Sequence, residues 1–431
     1  RRTLELTFKK YSFKSLLGRL DEIFGKETMS SNTSQLDMFG KKAEEINWVE
    51  IQELERVITE SENLIVGYIN GDESFNKESF LFVRGVSKEG NITDVLSKPT
   101  DIFKFTEGKK VIFYNFEELV THSQDLSTNK LETYFDVLLC EHLLQSEKRN
   151  VKLKDLAFEY STKVLNEKIS PSDISTSLDS IYDAYTQQLE KIDNLELYEY
   201  TKTSIEKFLK TKEKHLLTSL LDIELPVSVI LSKMEKRGLS IDWNKLLTLK
   251  KDVEEEIENV QKEIYDIVGH EFNINSPKQL SDILFRELDL PNKSKGSTRE
   301  SVLDGMLGIH PIIEQLLYFR EITKVLNTYI QPLFENSVVK EEGIHSIHTD
   351  FKQTGTTSGR FSSINPNLQN LPLDGVWAKR LRECFVPRKG FKLLGMDYSQ
   401  MELRIMADIS NDKLLSADFV NDLDIHSTTA A

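Results

Sequence analysis

Hydrophobic residues change their spacing along the chain and divide it into regions. In residues 1–45, leucines and isoleucines at helical spacing precede a polar stretch, which predicts a leading helix followed by a linker. In residues 46–204, short apolar runs at 64–69, 80–83 and 110–114 predict strands, whereas the longer stretches 135–144 and 181–192 predict helices. The alternation of the two element types indicates an α/β domain.

Residues 205–344 change character and are expected to be almost entirely helical. Apolar residues recur every three or four positions from Leu246 to Ile267, and Gly269 follows as a stop signal. This spacing predicts one long amphipathic helix.

A further helix is expected after the long one, because Ser276 can cap a helix whose first residue is Pro277. From residue 345 to 431 the chain returns to strand-like runs joined by a connection rich in Gly and Asn. The fold class predicted from these patterns is α/β plus α, with more than one hydrophobic core.

Composition first argues against a nucleic-acid partner and then allows one. The chain of 431 residues has 55 basic and 70 acidic side chains, a net charge of -15, whereas phosphate binding needs local positive charge. Residues 351–400, however, contain eight basic and three acidic residues, a local net charge of +5. The basic residues are Lys352, Arg360, Lys379, Arg380, Arg382, Arg388, Lys389 and Lys392. A basic segment therefore lies inside an acidic chain.

Cysteine content and hydropathy exclude several classes of protein. Cys140 and Cys384 are the two cysteines and lie far apart in sequence, so neither a disulfide framework nor a cysteine-based zinc site is expected. No apolar run reaches the roughly 18 residues of a membrane span. We expect an intracellular protein in a reducing compartment, without a membrane partner.

The segment 391–404 has the pattern of a site. An apolar strand at 391–396 is predicted to deliver Asp397 at its end, and a helix with Met401 and Ile405 on one face follows. Carboxylates at strand ends are suited to metal binding and catalysis. The alternative is structural, because Ser399 and Glu402 have the spacing of a capping box and Asp397 could simply precede the helix.

The segment 354–372 is crowded with hydroxyl and carboxamide side chains, which can donate to phosphate oxygens. Its arginine, Arg360, follows Gly359, which allows the backbone to approach a ligand closely. An ordinary polar loop is the alternative interpretation of this segment.

Together, the two segments resemble signature motifs of the family A DNA polymerases, the group of bacterial DNA polymerase I. The residues that carry the resemblance are the sequences GRFSSINPNLQNLP at 359–372 and DYSQMELR at 397–404. Further matching segments occur in the family's order at 224–226, 234–238, 272–280, 328–329, 347–349 and 424–426. The resemblance covers about residues 220–431 strongly and the first half more weakly.

The resemblance implies a domain order. Residues 46–204 would form a 3′-5′ exonuclease-like α/β domain, 205–344 a helical thumb, and 345–431 the first part of a palm with the start of the fingers. Residues 1–45 would then be a helical connector and linker, and the 5′-nuclease domain of the full bacterial enzyme would be absent.

The resemblance also implies template-directed DNA synthesis by two-metal nucleotidyl transfer, with two Mg2+ ions as cofactors. Asp397 would bind both ions and the backbone carbonyl of Tyr398 one of them. Three residues, Ser399, Gln400 and His426, would surround the triphosphate and sugar of the incoming deoxynucleotide. Glu402 would stand against that sugar and exclude a 2′-hydroxyl.

Contacts to primer-template DNA complete the predicted site. A copying enzyme must hold every sequence equally, and a single arginine such as Arg360 can donate to the minor-groove acceptors that the base pairs share. By resemblance, Gln369, Asn370 and Arg382 would contact template and primer near the active site. Two residues of the predicted thumb, Thr328 and Lys278, would contact the duplex backbone, although each taken singly is equally compatible with ordinary solvated surface.

The acids of a proofreading nuclease are not found where the resemblance expects them. The first strand continues to Asn70 without an Asp-x-Glu, and Leu119 stands where a second acid would fall. On the late helix, Ser180 and Ala184 replace the expected Tyr and Asp. We therefore expect an exonuclease-like fold without nuclease activity that serves as a platform, and a nuclease is the least favoured function.

The family's second metal-binding acid and its nucleotide-binding fingers helix are not identifiable up to residue 431, so the chain is expected to be an incomplete large fragment. The alternative function is therefore a primer-template DNA-binding fragment that is inactive alone. We expect a monomer of the bacterial cytoplasm, associated with the nucleoid, whose partners are primer-template DNA and deoxynucleoside triphosphates.

Overall fold

The computed structural model describes residues 48–74, 77–123, 126–128, 131–194, 215–292, 295–421, 423 and 425. The predicted leading helix and linker at 1–45 lie outside these ranges, as does His426. Within the described ranges, every helix is too short or too polar to cross a bilayer.

A five-stranded sheet forms the centre of the first region. Its strands are β1 (Asn63–Ile69), β2 (Phe80–Val86), β3 (Ile92–Ser97), β4 (Lys110–Tyr114) and β5 (Tyr134–Asp136). They lie in the order β3-β2-β1-β4-β5, with β1 antiparallel to β2 and parallel to β4. Six of the seven residues of β1 are buried, which is typical of a central strand covered on both faces. The strands predicted at 64–69, 80–83 and 110–114 are confirmed.

Helices cover this sheet. Their bounds are Ile51–Glu60, Phe116–Leu119, Val137–Leu144, Leu153–Ser161 and Ile174–Asn194, with short 3-10 turns at Phe103–Phe105, Val120–His122 and Pro171–Asp173. The helix predicted at 181–192 is confirmed within the last of the five, and the predicted α/β character of the region is therefore borne out.

The helix predicted from residue 135 begins instead at Val137. Phe135 and Asp136 belong to β5, where they pair with β4. Asp136 then caps the helix, because its Oδ1 accepts a hydrogen bond from the backbone N–H of Leu139 at 2.7 Å. Burial raises the pKa of this carboxyl to about 6. The apolar pattern ran through both elements and could not mark the boundary between them.

The described part of the second region is mostly helical, as predicted, but it also contains two strands, Leu239–Asp242 and Ser337–Glu341. Its helices are His215–Ser219, Leu225–Arg237, Trp243–Val268, Pro277–Asp282, Glu300–Asp304, Pro311–Lys324 and Gln331–Glu335, with π-helical turns at Leu220–Glu224, Ile283–Glu287 and Val325–Ile330. Leu246, Leu249 and Val253 are buried along one face of the long helix, which ends at Gly269 with φ of 86°. Ser276 caps the next helix, and Pro277 is its first residue.

The remaining strands lie in the last region or pair with it. The strands are β6 (Leu239–Asp242), β7 (Ser337–Glu341), β8 (Ile344–Ile347), β9 (Asp350–Lys352) and β10 (Ser362–Ile364). They form a sheet of order β6-β8-β7 and a β9-β10 hairpin. Helices follow at Val376–Glu383, Met401–Ser410 and Lys413–Val420.

The strand predicted at 391–396 is wrong. These residues have no regular secondary structure and are exposed, with Leu394 at 79% and Met396 at 85% exposure. A strand is stabilised by hydrogen bonds to a neighbouring strand, and in the described part of the chain no strand pairs with this segment. Its apolar side chains are therefore left on the surface.

The boundaries between the hydrophobic cores do not coincide with the region boundaries predicted from the sequence. The core around the β1–β5 sheet also contains Leu220, Leu225 and Val229, so the start of the helical region packs against the α/β region. Two further cores lie among the later helices and share the partly buried Ile257 and Trp377. The helix Leu225–Arg237 is thus attached to the sheet region and lies next to the β9-β10 hairpin.

Candidate functional site

The β9-β10 hairpin presents the loop that carries Arg360. Lys352 pairs with Ser362 and Asp350 with Ile364, so residues 353–361 form a closed loop at one end of the hairpin. Across the loop, the Thr356 hydroxyl donates to the carbonyl of Arg360 at 2.6 Å. Gly359 has φ of 73°, a conformation that favours glycine, and Arg360 follows it directly.

Many hydroxyl and carboxamide side chains of this segment stabilise its own turn. The Ser363 hydroxyl accepts hydrogen bonds from the backbone N–H groups of Leu368 and Gln369 at 3.1 and 3.2 Å. Asn367 Oδ1 accepts from the backbone N–H groups of Gln369 and Asn370 at 3.0 and 3.2 Å. Ser363 and Asn367 are therefore engaged within the turn, whereas the side chains of Gln369 and Asn370 are exposed.

Arg360 and Glu402 contact each other. Arg360 Nη2 lies 2.6 Å from Glu402 Oε1, and the two side chains are 72% and 74% exposed. The hydrogen bond to Glu402 raises the pKa of Arg360. The structure thereby joins the two sequence segments through an ion pair that remains open to solvent.

The helix after Asp397 does not start with the predicted capping box. The helix begins at Met401, its N-cap is Gln400 with φ of 51°, and no side chain caps it. The backbone of Ser399 instead accepts a hydrogen bond from Arg404 Nε at 3.0 Å. The capping interpretation of Ser399 and Glu402 is therefore wrong, because Gln400 takes the cap position and Glu402 turns toward Arg360.

Asp397 lies in the exposed segment before that helix. Its Oδ1 accepts a hydrogen bond from the N–H of Tyr398 at 2.8 Å, and Tyr398 is 80% exposed. An open cavity of about 470 Å3 adjoins this segment; it is lined by Tyr398, Ser399, Met401, Arg404, Ile405, Asp408 and Ile409. The candidate catalytic carboxylate is therefore accessible and lies directly beside a largely apolar cavity.

The remaining candidate residues are exposed on separate elements. Lys278 lies in the first turn of Pro277–Asp282, Thr328 in the π-helical turn Val325–Ile330, and Arg382 on Val376–Glu383. Exposure is compatible with DNA contact and equally with solvated surface. Among the candidates that the structure describes, Arg360 and Glu402 form the side-chain contact between different segments.

Part of the basic segment is neutralised by acids outside it. Lys352 pairs with Glu117 and Glu118, Arg360 with Glu402, and Arg380 with Asp252 at 2.5 Å. The other basic side chains of the segment are exposed: Lys379, Arg382, Arg388, Lys389 and Lys392. We call these five residues the basic surface, since they are available for phosphate contacts.

The described residues provide an incomplete set of metal ligands. Asp397 offers the hard oxygen that Mg2+ prefers. In the ranges that the structure covers, however, no group of three or more His, Cys, Asp or Glu residues could hold a metal ion. Cys140 and Cys384 are free and buried, and burial raises the pKa of the Cys384 thiol to about 11. The absence of a disulfide between them agrees with the sequence prediction.

The positions where the resemblance expects nuclease acids carry side chains without a carboxylate. Leu119, Ser180 and Ala184 are buried, and Asn70 donates to Glu118 Oε2 at 3.1 Å. Asp183, one residue from the expected position, lies 3.7 Å from the ammonium of Lys163. Asp72 and Glu73 lie in a turn after β1, as the sequence indicated.

Sequence reasoning missed the residues that hold the hairpin. The sequence indicated only the charge of Lys352 and no role for Gln353. Lys352 contacts Glu118 at 3.1 Å although 234 residues separate them. The charge of Lys352 was the only signal available, because a pair so distant in sequence leaves no periodic pattern.

Comparison with known proteins identifies relatives of both halves of the chain. The model of DNA polymerase family A matches residues 243–431. DNA polymerase I of Caldicellulosiruptor bescii is 32% identical over 97% of this chain and 45% of its own length. DNA polymerase I of Bacillus subtilis is 29% identical over 98% of this chain and 47% of its own length. The chain thus spans about half the length of these curated relatives.

A solved structure supports the same relationship. The POL domain of Pol1 from M. smegmatis, in complex with DNA primer-template and dNTP, superposes with a TM-score of 0.65 at 26% identity. The match covers 89% of this chain and 65% of that chain. The structural similarity therefore extends beyond residues 243–431 into the first half of the chain.

Proposed function

The chain belongs to DNA polymerase family A through residues 243–431, and from this premise we propose that it serves template-directed DNA synthesis without proofreading. It would add deoxynucleotides to the 3′-hydroxyl of a primer. The observation that carries the proposal is the 2.6 Å contact between Arg360 and Glu402, which unites two polymerase-like segments 42 residues apart. The exposed Asp397 lies five residues before Glu402 in the same segment.

Asp397 is proposed to hold a divalent cation through its carboxylate. The backbone carbonyl of Tyr398 would provide a second oxygen ligand. Two bound Mg2+ ions would supply activation of the primer hydroxyl and charge neutralisation at the triphosphate. Asp397 provides one side-chain ligand, and its exposure to solvent leaves its oxygens accessible. Ser399, Gln400 and His426 are proposed to line the triphosphate and sugar.

Arg360 and Glu402 have complementary proposed roles. Arg360 would donate to minor-groove acceptors that all base pairs present, so it would test the shape of the duplex without reading its sequence. Glu402 would lie against the sugar and exclude a 2′-hydroxyl. Because the two side chains are paired and exposed, DNA or nucleotide must replace the contact between them.

DNA is proposed to lie along the basic surface and the adjacent turn. Gln369 and Asn370 would contact the nascent base pairs, and Arg382 the strands near the active site. Lys278 and Thr328, exposed on the proposed helical thumb, would contact the duplex backbone. Binding through these groups would weaken as salt rises.

The region 46–204 is proposed to be an exonuclease-like domain that is inactive and acts as a platform, followed by a thumb at 205–344 and by palm and early fingers at 345–431. The mixed five-stranded sheet and its order support this assignment. We propose that the protein acts as a monomer in the bacterial cytoplasm, associated with the nucleoid.

A second candidate is a primer-template binding fragment that cannot catalyse alone. It is favoured by the donor set, because the described ranges contain no cluster of three metal-binding side chains. A polymerase needs carboxylates for both ions, whereas DNA binding needs only Arg360 and the basic surface.

Primer extension separates the two candidates. A labelled primer-template would be incubated with Mg2+ and four deoxynucleotides, using this chain and a longer natural form, each with and without Asp397→Ala. Extension by the longer form that is lost in Asp397→Ala supports the proposed synthesis. Extension that survives Asp397→Ala contradicts the assignment of the metal ligand. Tight primer-template binding without extension by this chain alone favours the second candidate.

A further inference from the structure

The base of the Arg360 loop is held by glutamates from other parts of the chain. The N–H of Phe351 donates to Glu235 Oε1 at 2.6 Å, and the N–H of Gln353 donates to Glu117 Oε2 at 3.2 Å. Between them, Lys352 Nζ lies 3.1 Å from Glu118 Oε1 and 3.6 Å from Glu117 Oε1. Three consecutive residues at the end of β9 are therefore each bound by a carboxylate.

The side chain of Gln353 adds a fourth carboxylate. It is 2% exposed, and its Nε2 donates to Glu224 Oε2 at 2.7 Å and to the Glu224 carbonyl at 3.1 Å. Its Oε1 accepts a hydrogen bond from the Ser228 hydroxyl at 2.5 Å. The amide is thus satisfied at both ends, which fixes its orientation and that of the adjoining backbone.

We propose that Lys352, Gln353 and the glutamates Glu117, Glu118, Glu224 and Glu235 form a clamp that positions the Arg360 loop for duplex DNA. Glu117 and Glu118 belong to Phe116–Leu119, directly after β4, whereas Glu224 and Glu235 belong to the segment that ends with Leu225–Arg237. The clamp deepens the proposed function and rests on it. It also gives the α/β region a specific task in place of nuclease chemistry.

Lys352 is the cation of the clamp. Glu117 is 13% exposed, and its Oε1 is buried without a hydrogen-bond partner, so the nearby ammonium offsets its charge. Burial opposes the charge of Lys352, yet Glu118 and Glu117 raise the pKa of its ammonium. Removing one member of such a group leaves a buried charge uncompensated, which costs more than losing an exposed pair.

The clamp lies beside Asn70 and next to Leu119, two of the positions where the sequence resemblance expects nuclease acids. Asn70 at the end of β1 donates to Glu118 Oε2 at 3.1 Å, and Glu118 in turn contacts Lys352. The ammonium of Lys352 therefore supplies the positive charge beside these carboxylates. The hairpin thus supplies a positive charge, and the edge of the sheet supplies the carboxylates that pair with it.

The clamp can control Arg360 because the loop is short and closed. Lys352 pairs directly with Ser362, two residues after Arg360. A Cβ at Gly355 would come within 2.2 Å of Ser362 Oγ, so the two sides of the loop are in close contact. By contrast, the Arg360 side chain is exposed, and its recorded side-chain partner is Glu402. The position of Arg360 therefore depends on the base of its loop.

Hydrogen exchange tests positioning without DNA. In Lys352→Met, exchange in residues 353–361 should rise about tenfold, as expected for losing one charge-assisted hydrogen bond. Exchange in Trp243–Val268 should not change, and Lys352→Arg should restore slow exchange. Unchanged exchange at 353–361, or an equal rise throughout the protein, would overturn the clamp.

Anisotropy of a labelled primer-template duplex tests the consequence. Lys352→Met should weaken binding about fivefold, since a displaced Arg360 loses part of a contact worth roughly tenfold. The affinity of Lys352→Arg should stay within about twofold of that of the parent chain. A change of that size is smaller than the contribution of one neutral hydrogen bond. The control Lys340→Met removes an exposed lysine of β7 and should have no effect. Thermal unfolding of each variant shows that binding is compared between folded proteins.

The pair Glu117→Gln/Glu118→Gln distinguishes positioning from a direct contact of Lys352 with phosphate. Positioning predicts weaker binding, whereas a direct contact predicts unchanged or tighter binding, because the lysine would be released. The second result would overturn the clamp. If Arg360→Ala leaves binding unchanged while exchange behaves as predicted, the proposed function fails and the clamp stands as a structural device.

Discussion

The carboxylates at the sheet edge and the carboxylate of Asp397 differ in their surroundings. Glu117 and Glu118 are 13% and 26% exposed and are bound by Lys352. Asp397 is exposed, and its recorded hydrogen bond comes from the neighbouring backbone N–H of Tyr398. A carboxylate held by a partly buried ammonium already has a partner, whereas an accessible carboxylate can take a ligand. Burial and partners are therefore consistent with the proposal that the first region is a platform and that Asp397 takes part in the chemistry.

The largest expected effect is at Asp397. Asp397→Ala should lower primer extension by any active form at least about a thousandfold, because metal-assisted charge stabilisation contributes several kcal/mol. Single-turnover extension measures this change. The matched control is Asp374→Ala, which removes another exposed carboxylate of the same region and should leave the rate unchanged. Equal losses in both variants would mean that Asp397 acts only through general charge.

Arg360 should give the next largest effect. Arg360→Ala should lower kcat/KM for extension about tenfold to a hundredfold, since a base-edge contact contributes about 1–3 kcal/mol. The loss should be similar for primers ending in any base pair. A loss confined to one terminal pair would contradict the proposal that Arg360 tests shape without reading sequence.

The buried carboxyl of Glu117 should make the stability of the fold depend on pH. Burial raises the pKa of Glu117 to about 7, although Lys352 opposes the shift, and Glu118 and Glu235 also face this carboxyl. A raised pKa favours the neutral acid in the folded state. Its stabilising contribution is therefore present below the unfolded pKa near 4.5 and is lost as pH rises through about 7.

Urea unfolding at pH 5 and pH 8 measures this contribution. The parent chain should lose up to about 3 kcal/mol from Glu117 over that interval, since each pKa unit corresponds to about 1.4 kcal/mol. Glu117→Gln should lose less, while the exposed control Glu62→Gln should follow the parent chain. The same pH dependence in Glu117→Gln would place the titrating group elsewhere.

The smallest effects are expected on the basic surface. Lys389→Gln should weaken primer-template binding slightly and reduce the slope of log K against log salt by about one. A salt titration by anisotropy measures the slope, with Lys340→Gln on β7 as the control. An unchanged slope for Lys389→Gln and for Lys379→Gln would place the duplex away from this surface.

Local patterns predicted the parts of the fold that depend on nearby residues. The strand at 64–69, the long helix ending at Gly269 and the cap by Ser276 each depend on contacts within a few positions. The strand predicted at 391–396 failed because strands need a partner from elsewhere. The capping box at Ser399 failed because Gln400 adopts a left-handed conformation that no residue pattern specified.

In the candidate site, too, local sequence indicated some features and the fold was needed for others. The motifs indicated Asp397, Arg360 and Glu402 through residue type and order, without any information on their separation in space. The contact between Arg360 and Glu402 and the clamp around Lys352 both required the folded chain, since the partners are 42 and 234 residues apart. The sequence showed Lys352 only as one charge of the basic segment, whereas the structure pairs it with glutamates.

One reaction tests the division between platform and catalyst most directly. A 5′-labelled primer-template would be incubated with Mg2+ and a longer natural form of this chain, with and without deoxynucleotides. We predict extension with deoxynucleotides, no shortening without them, and loss of extension in Asp397→Ala. Shortening of the primer from its 3′ end, abolished by Glu117→Gln/Glu118→Gln, would contradict the account.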